Sequence, residues 1–320
     1  MTENPILGIA LVFPGQGSQG VGMMAELAEA YPVVGETFAE AADALGRDLW
    51  ELSREGPAEA LADTRVTQPL MFVADVATHR ALVGAGLPAP TAVAGHSLGE
   101  FAALVAAGAI DFARALPLVA ARARFMAEAV PEGEGGMAAL IGLDDAAAIE
   151  LCESLTGERV VEAVNFNAPG QVAISGHADA VGRAAERAKA RGAKRALVLP
   201  VSVPNHSSLM RGAGQRLAAE IDALDWTMPA LPVVQNASAA APADLDALLA
   251  SLRTHVHDPV RWSASVEALR DAHGATLVLE CGPGKVLAGL LRRIDRSLEC
   301  VAVDSPAALE RAIETAGAAA

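Results

Sequence analysis

The sequence predicts an α/β protein: a large domain around a parallel sheet, with a smaller domain inserted into it. Three observations carry that prediction. Apolar runs of strand length, such as residues 6–13, 91–94 and 277–280, are each followed by a glycine-rich turn and a helix-prone stretch. A polar junction, Val130-Pro131-Glu132-Gly133-Glu134-Gly135-Gly136, then breaks that rhythm. Beyond it the order becomes strand, helix, strand, strand, helix, strand, the order of a ferredoxin-like (βαββαβ) unit. The expected boundaries are 1–131 with 202–320 for the large domain and 132–201 for the insert.

Residues 6–13 are apolar throughout and read as a buried strand. The turn Pro14-Gly15-Gln16-Gly17-Ser18-Gln19-Gly20 and an amphipathic helix at 22–30 follow. Gly15, Gly17 and Gly20 spell G-x-G-x-x-G. Pro14 stiffens that turn, however, and no second strand ends in an acidic residue at the distance a dinucleotide site needs. Such a turn also suits a backbone N–H held close to a reaction centre. Residues 33–68 read as interrupted helices, and 69–84 as a long apolar helix with Pro69 in its first turn. The strand at 91–94 runs into Gly95-His96-Ser97-Leu98-Gly99, and a helix at 100–107 leads out. The helix at 111–129 is rich in Ala, Leu and Val yet carries Arg122 and Arg124. Each arginine either meets a buried anion or snorkels to solvent.

In the insert, strands are expected at 137–142, 160–165, 171–175 and 196–199, and helices at 144–155 and 177–191. Asn165-Phe166-Asn167-Ala168-Pro169-Gly170 reads as the hairpin turn. After the loop Val203-Pro204-Asn205-His206 come a helix at 208–224, a strand at 229–234 and a loop at 236–246. A helix ending near 271, a core strand at 277–280 and a helix through 293 complete the core, and the alanine-rich tail reads as a last helix. The turn Cys281-Gly282-Pro283-Gly284-Lys285 fails as a phosphate loop, because Leu279 and Val286 stand where Gly and Ser or Thr are required.

Composition narrows the functional class. The chain has 320 residues, 52% hydrophobic and 20% charged, enough for a sizeable core and too few charges for disorder. A net charge of −15 and 3% aromatic residues argue against nucleic-acid or anionic-membrane binding. Cys152, Cys281 and Cys300 are widely spaced and form no C-x-x-C, so the expectation is a reducing, cytoplasmic setting. The first residues, Met1-Thr2-Glu3-Asn4-Pro5, lack the basic segment of a signal peptide.

Gly95-His96-Ser97-Leu98-Gly99 matches the nucleophile elbow G-x-S-x-G of α/β-hydrolase-like domains, which pushes a serine hydroxyl out of a tight strand-to-helix turn. A serine nucleophile needs a base. His96 points across the turn, His79 and His177 are explained by helix positions, and His273 lies in a helix-to-strand loop. His206, in the loop returning from the insert, is the favoured candidate among these. His255 and His257 would share a face on a strand, but no further ligand set accompanies them and no metal site is expected.

Several blocks together carry a resemblance. Phe13-Pro14-Gly15-Gln16-Gly17-Ser18-Gln19, Gly95-His96-Ser97-Leu98-Gly99-Glu100 and Arg122 with Phe125-Met126 come first. Asn165-Phe166-Asn167-Ala168-Pro169-Gly170-Gln171, Val203-Pro204-Asn205-His206 and Pro259-Val260-Arg261-Trp262 follow. In this order and spacing, over nearly the whole chain, they resemble the malonyl-CoA:acyl carrier protein transacylase family. The resemblance implies an α/β-hydrolase-like large domain with a ferredoxin-like insert. It implies Ser97 as nucleophile, His206 as base, the backbone N–H groups of Gln16 and Leu98 as oxyanion hole, and Arg122 as holder of the malonyl carboxylate. It further implies malonyl-CoA and acyl carrier protein as partners, no cofactor of the enzyme's own, a place in fatty acid synthesis and action as a monomer. Three positions depart from the family. His255-Val256 replaces a usual Gln-Leu, Asn205 stands where serine is common, and Ala123 replaces a glycine. The backbone carbonyl at the first of these orients the family's histidine, a role expected to persist at His255 because a carbonyl survives side-chain replacement. A serine esterase would instead place an acid between the serine and a C-terminal histidine and would leave Arg122 without a task.

Overall fold

The structure, a computed structural model, describes residues 8–317. Among these residues, nine strands form two separate sheets. In chain order they are β1 Gly8–Phe13, β2 Ala92–Gly95, β3 Gly135–Ile141, β4 Val161–Ala168, β5 Gln171–His177, β6 Arg195–Val198, β7 Val233–Val234, β8 Ala275–Cys281 and β9 Glu299–Val303. Ile6 and Leu7, which the sequence assigns to the first strand, lie outside the described residues.

The larger sheet has the order β7-β2-β1-β8-β9, and its pairs are all parallel. Every residue of β1 is buried. That follows from helices on both faces, which remove the polar alternation of a half-exposed strand. Ile9, Leu11 and Phe13 point into a core shared with the helices Thr64–Gly84, Gly99–Ala106 and Phe112–Ala127. Ala10 and Val12 point the other way, against Trp262–Asp271 and Val286–Ile294.

The smaller sheet has the order β4-β5-β3-β6 and is antiparallel throughout. The helices Asp145–Glu153 and Ala178–Ala190 cover one face through Leu140, Val172 and Ile174. The opposite face carries Met137 and Ala173 and forms a wall of the cleft described below. β4 is tied beside that cleft to the segment leading into the helix Trp262–Asp271. Phe166 N donates to Val260 O at 2.9 Å, and Val260 N to Val164 O at 2.8 Å.

Four local expectations are corrected. The helix expected from Pro69 begins at Thr64, because the Asp63 side chain accepts from Arg65 N at 2.9 Å and caps it there, leaving Pro69 inside the helix. The expected hairpin turn at 165–170 shrinks to Pro169 and Gly170, because the cross-links to Val260 hold β4 extended as far as Ala168. The strand expected at 229–234 is only β7, since Pro229 and Pro232 lack the N–H a ladder needs. His255 and His257 do not share a strand face: His255 caps the helix Leu245–Thr254, and His257 N bonds back to Thr254 O in the following turn.

Candidate active site

Ser97 stands between the end of β2 and the helix Gly99–Ala106, with φ of 51°. A non-glycine residue in the left-handed region is strained, and the surrounding chain must hold it there. Packing does so. A Cβ on Gly95 would lie 1.9 Å from the Gly99 carbonyl carbon, and a Cβ on Gly99 would lie 2.0 Å from Phe13 O. Both glycines of the elbow are therefore required by close backbone approach. Asn236 fixes the turn from outside: its Oδ1 accepts from Ser97 N at 2.7 Å and its Nδ2 donates to Gly95 O at 2.6 Å. Glu100, fully buried, accepts from Asn236 N at 2.7 Å and from Asn236 Nδ2.

His206 also has a positive φ, 63°. Its backbone N–H donates to Val256 O at 3.0 Å, and its ring Nδ1 donates to Asp258 O at 2.9 Å. With the proton on Nδ1, Nε2 offers a lone pair to the Ser97 hydroxyl, 2.7 Å away. The carbonyl that orients His206 is thus Asp258, not His255. The chain turns at residues 254–258, where Asp258 N bonds to Thr254 O, and this brings the later carbonyl under the ring. Burial lowers the proton affinity of His206 well below the usual histidine range, and the neighbouring His255 and Arg122 push it further down. The imidazole is neutral at pH 7, as a base must be.

Arg122 is 1% exposed, whereas Arg124 on the same helix reaches solvent. Its Nη2 donates to Ser97 Oγ at 3.1 Å, and its Nη1 to Gln68 Oε1. Among the described residues, its Nε has no partner. Burial lowers its pKa to about 9, opposed by Glu100, so the guanidinium keeps its charge at neutral pH. Gln68 Nε2 donates to Thr64 Oγ1 at 3.0 Å, and Thr64 Oγ1 to Gln16 Oε1 at 3.1 Å. A line of hydrogen bonds therefore runs from the glycine-rich turn to Arg122 through residues one helical turn apart.

Ser97, His206 and Gln16 line a cleft of about 860 Å³, whose far wall includes Asn165 and Asn167 of β4. Among the described residues, neither Gln16 N nor Leu98 N donates to a protein acceptor. His96 turns away from Ser97: its Nε2 pairs with Asn167 Oδ1 at 2.8 Å and its ring meets Trp262 edge-on. His79 is half-buried with its ring edge-on to Phe13, and burial lowers its pKa to about 4. The structure thus brings Ser97, His206, Arg122, Gln16 and Leu98 to one end of the parallel sheet. Asn236, Gln68 and Thr64 were not singled out from sequence, because their partners lie far away in the chain.

A serine paired with an imidazole, next to a buried guanidinium, can take up an acyl group that carries a carboxylate. Residues 10–303 match the family model described as acyl transferase domain. The malonyl CoA-acyl carrier protein transacylase of Escherichia coli K12 is 52% identical over 305 residues, covering 95% of this chain and 98% of that one. The chain belongs to the malonyl CoA-acyl carrier protein transacylase family. The Bacillus subtilis member is 43% identical over 308 residues, covering 96% of each chain. Among solved family members, an acyl-carrier-protein S-malonyltransferase from Burkholderia pseudomallei superimposes with a TM-score of 0.93 at 49% identity, covering 96% of this chain and all of that one. A malonyl transacylase solved in complex with a type II PKS acyl-carrier protein gives a TM-score of 0.94 at 47% identity, covering 96% of this chain and 99% of that chain. No helix among the described residues is long and apolar enough to cross a membrane.

Proposed function

We propose that this protein transfers a malonyl group from malonyl-CoA to the phosphopantetheine thiol of acyl carrier protein through a malonyl-Ser97 ester, in support of fatty acid synthesis. The observation that carries the reading is the position of the Ser97 hydroxyl, 2.7 Å from His206 Nε2 and 3.1 Å from Arg122 Nη2. Nucleophile, base and a carboxylate-binding cation meet at one oxygen. The names of the relatives, and one relative's complex with a carrier protein, point to the same substrates.

In the proposed sequence His206 Nε2 takes the Ser97 proton as Oγ attacks the thioester carbonyl. The tetrahedral oxyanion is held by the N–H groups of Gln16 and Leu98. One such donor is worth roughly 3 kcal/mol of transition-state stabilisation. The C–S bond breaks, and CoA leaves as a thiol with the proton from His206. The carrier's thiol then gives its proton to His206 and attacks the ester, and Ser97 leaves and is reprotonated. Arg122 forks onto the malonyl carboxylate throughout. The thioester already carries an activated acyl group, so the cycle asks for no cofactor of the enzyme's own.

The division into an α/β-hydrolase-like large domain (1–131 and 202–320) and a ferredoxin-like insert (132–201) belongs to the same reading, as do action as a monomer and a cytoplasmic location. It is supported by the βαββαβ order and by the cleft between the two sheets. An acidic carrier needs a basic landing area. Two basic clusters are candidates, Arg187, Lys189, Arg191, Lys194 and Arg195 in the insert and Lys285, Arg292 and Arg293 near the C-terminus. Within them Lys285 is paired with Asp304 at 3.1 Å and Arg191 with Glu150 at 3.3 Å. Arg293, beside Arg292, reaches Gln171 at the cleft. The reading is tested by mass spectrometry after brief exposure to malonyl-CoA. A malonyl adduct on Ser97 that carrier protein discharges faster than water is expected. An adduct elsewhere, or one lost equally fast to water, would overturn it.

A further inference from the structure

The His255 side chain occupies an unusual place. It is 2% exposed, and its ring stands between two buried groups of opposite charge. Nδ1 is 3.5 Å from Arg122 Nη2, and Nε2 is 3.6 Å from Glu100 Oε2. Among the described residues, Nε2 and the Glu100 Oε1 atom lack hydrogen-bond partners. Phe101 meets the His255 ring edge-on at 5.3 Å between centroids, and the Arg122 guanidinium lies 5.7 Å from the same Phe101 ring. Arg122 and Glu100 have no direct ion pair between them; the imidazole is what lies in the gap.

We propose that His255 is a positioning residue for Arg122 and thereby a determinant of preference for a carboxylate-bearing acyl group. The inference rests on the reading that Ser97 takes the acyl group and Arg122 its carboxylate. A guanidinium has five N–H donors, and a carboxylate fork uses two of them. Gln68 holds Nη1 from one side, and Ser97 Oγ takes an N–H of Nη2 in the unacylated protein. Once Ser97 is an ester, its oxygen is a poor acceptor and the Nη2 side loses that anchor. The His255 Nδ1 lone pair is the remaining protein acceptor beside Nη2, with Nε2–H directed at Glu100. Both separations are longer than a formed hydrogen bond, and small rotations of the released guanidinium and the ring would close them. His255 and Gln68 then bracket the guanidinium plane, leaving Nε and one N–H of each terminal nitrogen free to face the acyl carboxylate. An uncharged acyl group makes no use of that orientation.

The test compares wild type, His255→Ala and His255→Gln for loading from malonyl-CoA and acetyl-CoA, with kcat and KM measured for each. Glutamine carries both an acceptor and a donor. Losing one hydrogen bond to a charged group is expected to raise the malonyl KM of His255→Ala about tenfold with acetyl transfer within about threefold of wild type. His255→Gln should keep the wild-type malonyl-to-acetyl ratio within about threefold. The ratio removes any general loss caused by the cavity left beside His206. An unchanged ratio in His255→Ala, parallel losses for both substrates, or a glutamine variant as impaired as alanine overturns the inference while leaving the transferase reading intact. Wild-type protein that takes no malonyl group overturns both.

Discussion

Replacing Arg122 by alanine removes a buried cation whose Nη2 lies 3.1 Å from the Ser97 hydroxyl. The side chain is 1% exposed, so solvent screens neither its charge nor its hydrogen bonds. A bidentate fork onto a carboxylate consists of two charge-assisted bonds, each worth about 1.5 kcal/mol at the low end, or about 3 kcal/mol together. That corresponds to a fall of about 150-fold in kcat/KM for malonyl-CoA. For acetyl-CoA the sign reverses. A methyl group leaves the buried guanidinium without an anion, a cost that alanine removes, so acetyl transfer should hold steady or rise. The assay is loading of Ser97 from each thioester, followed by mass spectrometry, with thermal unfolding checked in parallel because Gln68 Oε1 also loses its donor. A malonyl-to-acetyl preference within about threefold of wild type would refute the assignment of the carboxylate to Arg122.

Two further outcomes follow from the same geometry. Burial, with His255 and Arg122 adding to it, lowers the proton affinity of His206 well below the ordinary 6.5, so the base is lost only in more acidic solution. The acid limb of kcat/KM against pH should therefore lie below 6.5 and the profile should be flat through neutrality; a limb centred at 6.5 or higher would contradict the buried base. Asn236→Ala removes the acceptor of Ser97 N–H and the donor to Gly95 O, leaving buried polar groups unpaired. Urea unfolding should show a loss of about 2–4 kcal/mol together with a lower kcat, and a loss under about 0.5 kcal/mol would mean that the elbow holds itself.

Much of this arrangement is legible in the sequence, for reasons that are local. The elbow is a contiguous motif, so Ser97 announces itself, even though one of its glycines answers to Phe13 O far back in the chain. The parallel strands are apolar on both faces, and β1 and β8 were readable for that reason. Asn236 and Asp258 carry no such mark. Asn236 meets Ser97 across 139 positions, and Asp258 acts through a carbonyl that any residue would supply. The role expected at His255 moved to Asp258 because a turn decides which carbonyl faces the ring, and the side-chain pattern does not encode that turn.

The helix Thr64–Gly84 shows how a boundary becomes chemistry. Starting the helix at Pro69 would leave Thr64 and Gln68 in a loop with no fixed relation to each other. Capping by Asp63 places them at i and i+4, on one face, with both side chains turned inward. Thr64 then reaches Gln16 in the glycine-rich turn, while Gln68 reaches Arg122. The proposed oxyanion donor and the proposed carboxylate holder are thus braced by the same helical turn, from the side opposite His255. The helical rise fixes the spacing of the two braces, and in the proposed cycle the acyl group fits between the residues they hold, its carbonyl oxygen at Gln16 and its carboxylate at Arg122. A spacing fixed by a helix suits a short dicarboxylic chain and disfavours acyl groups whose charge lies further from the thioester.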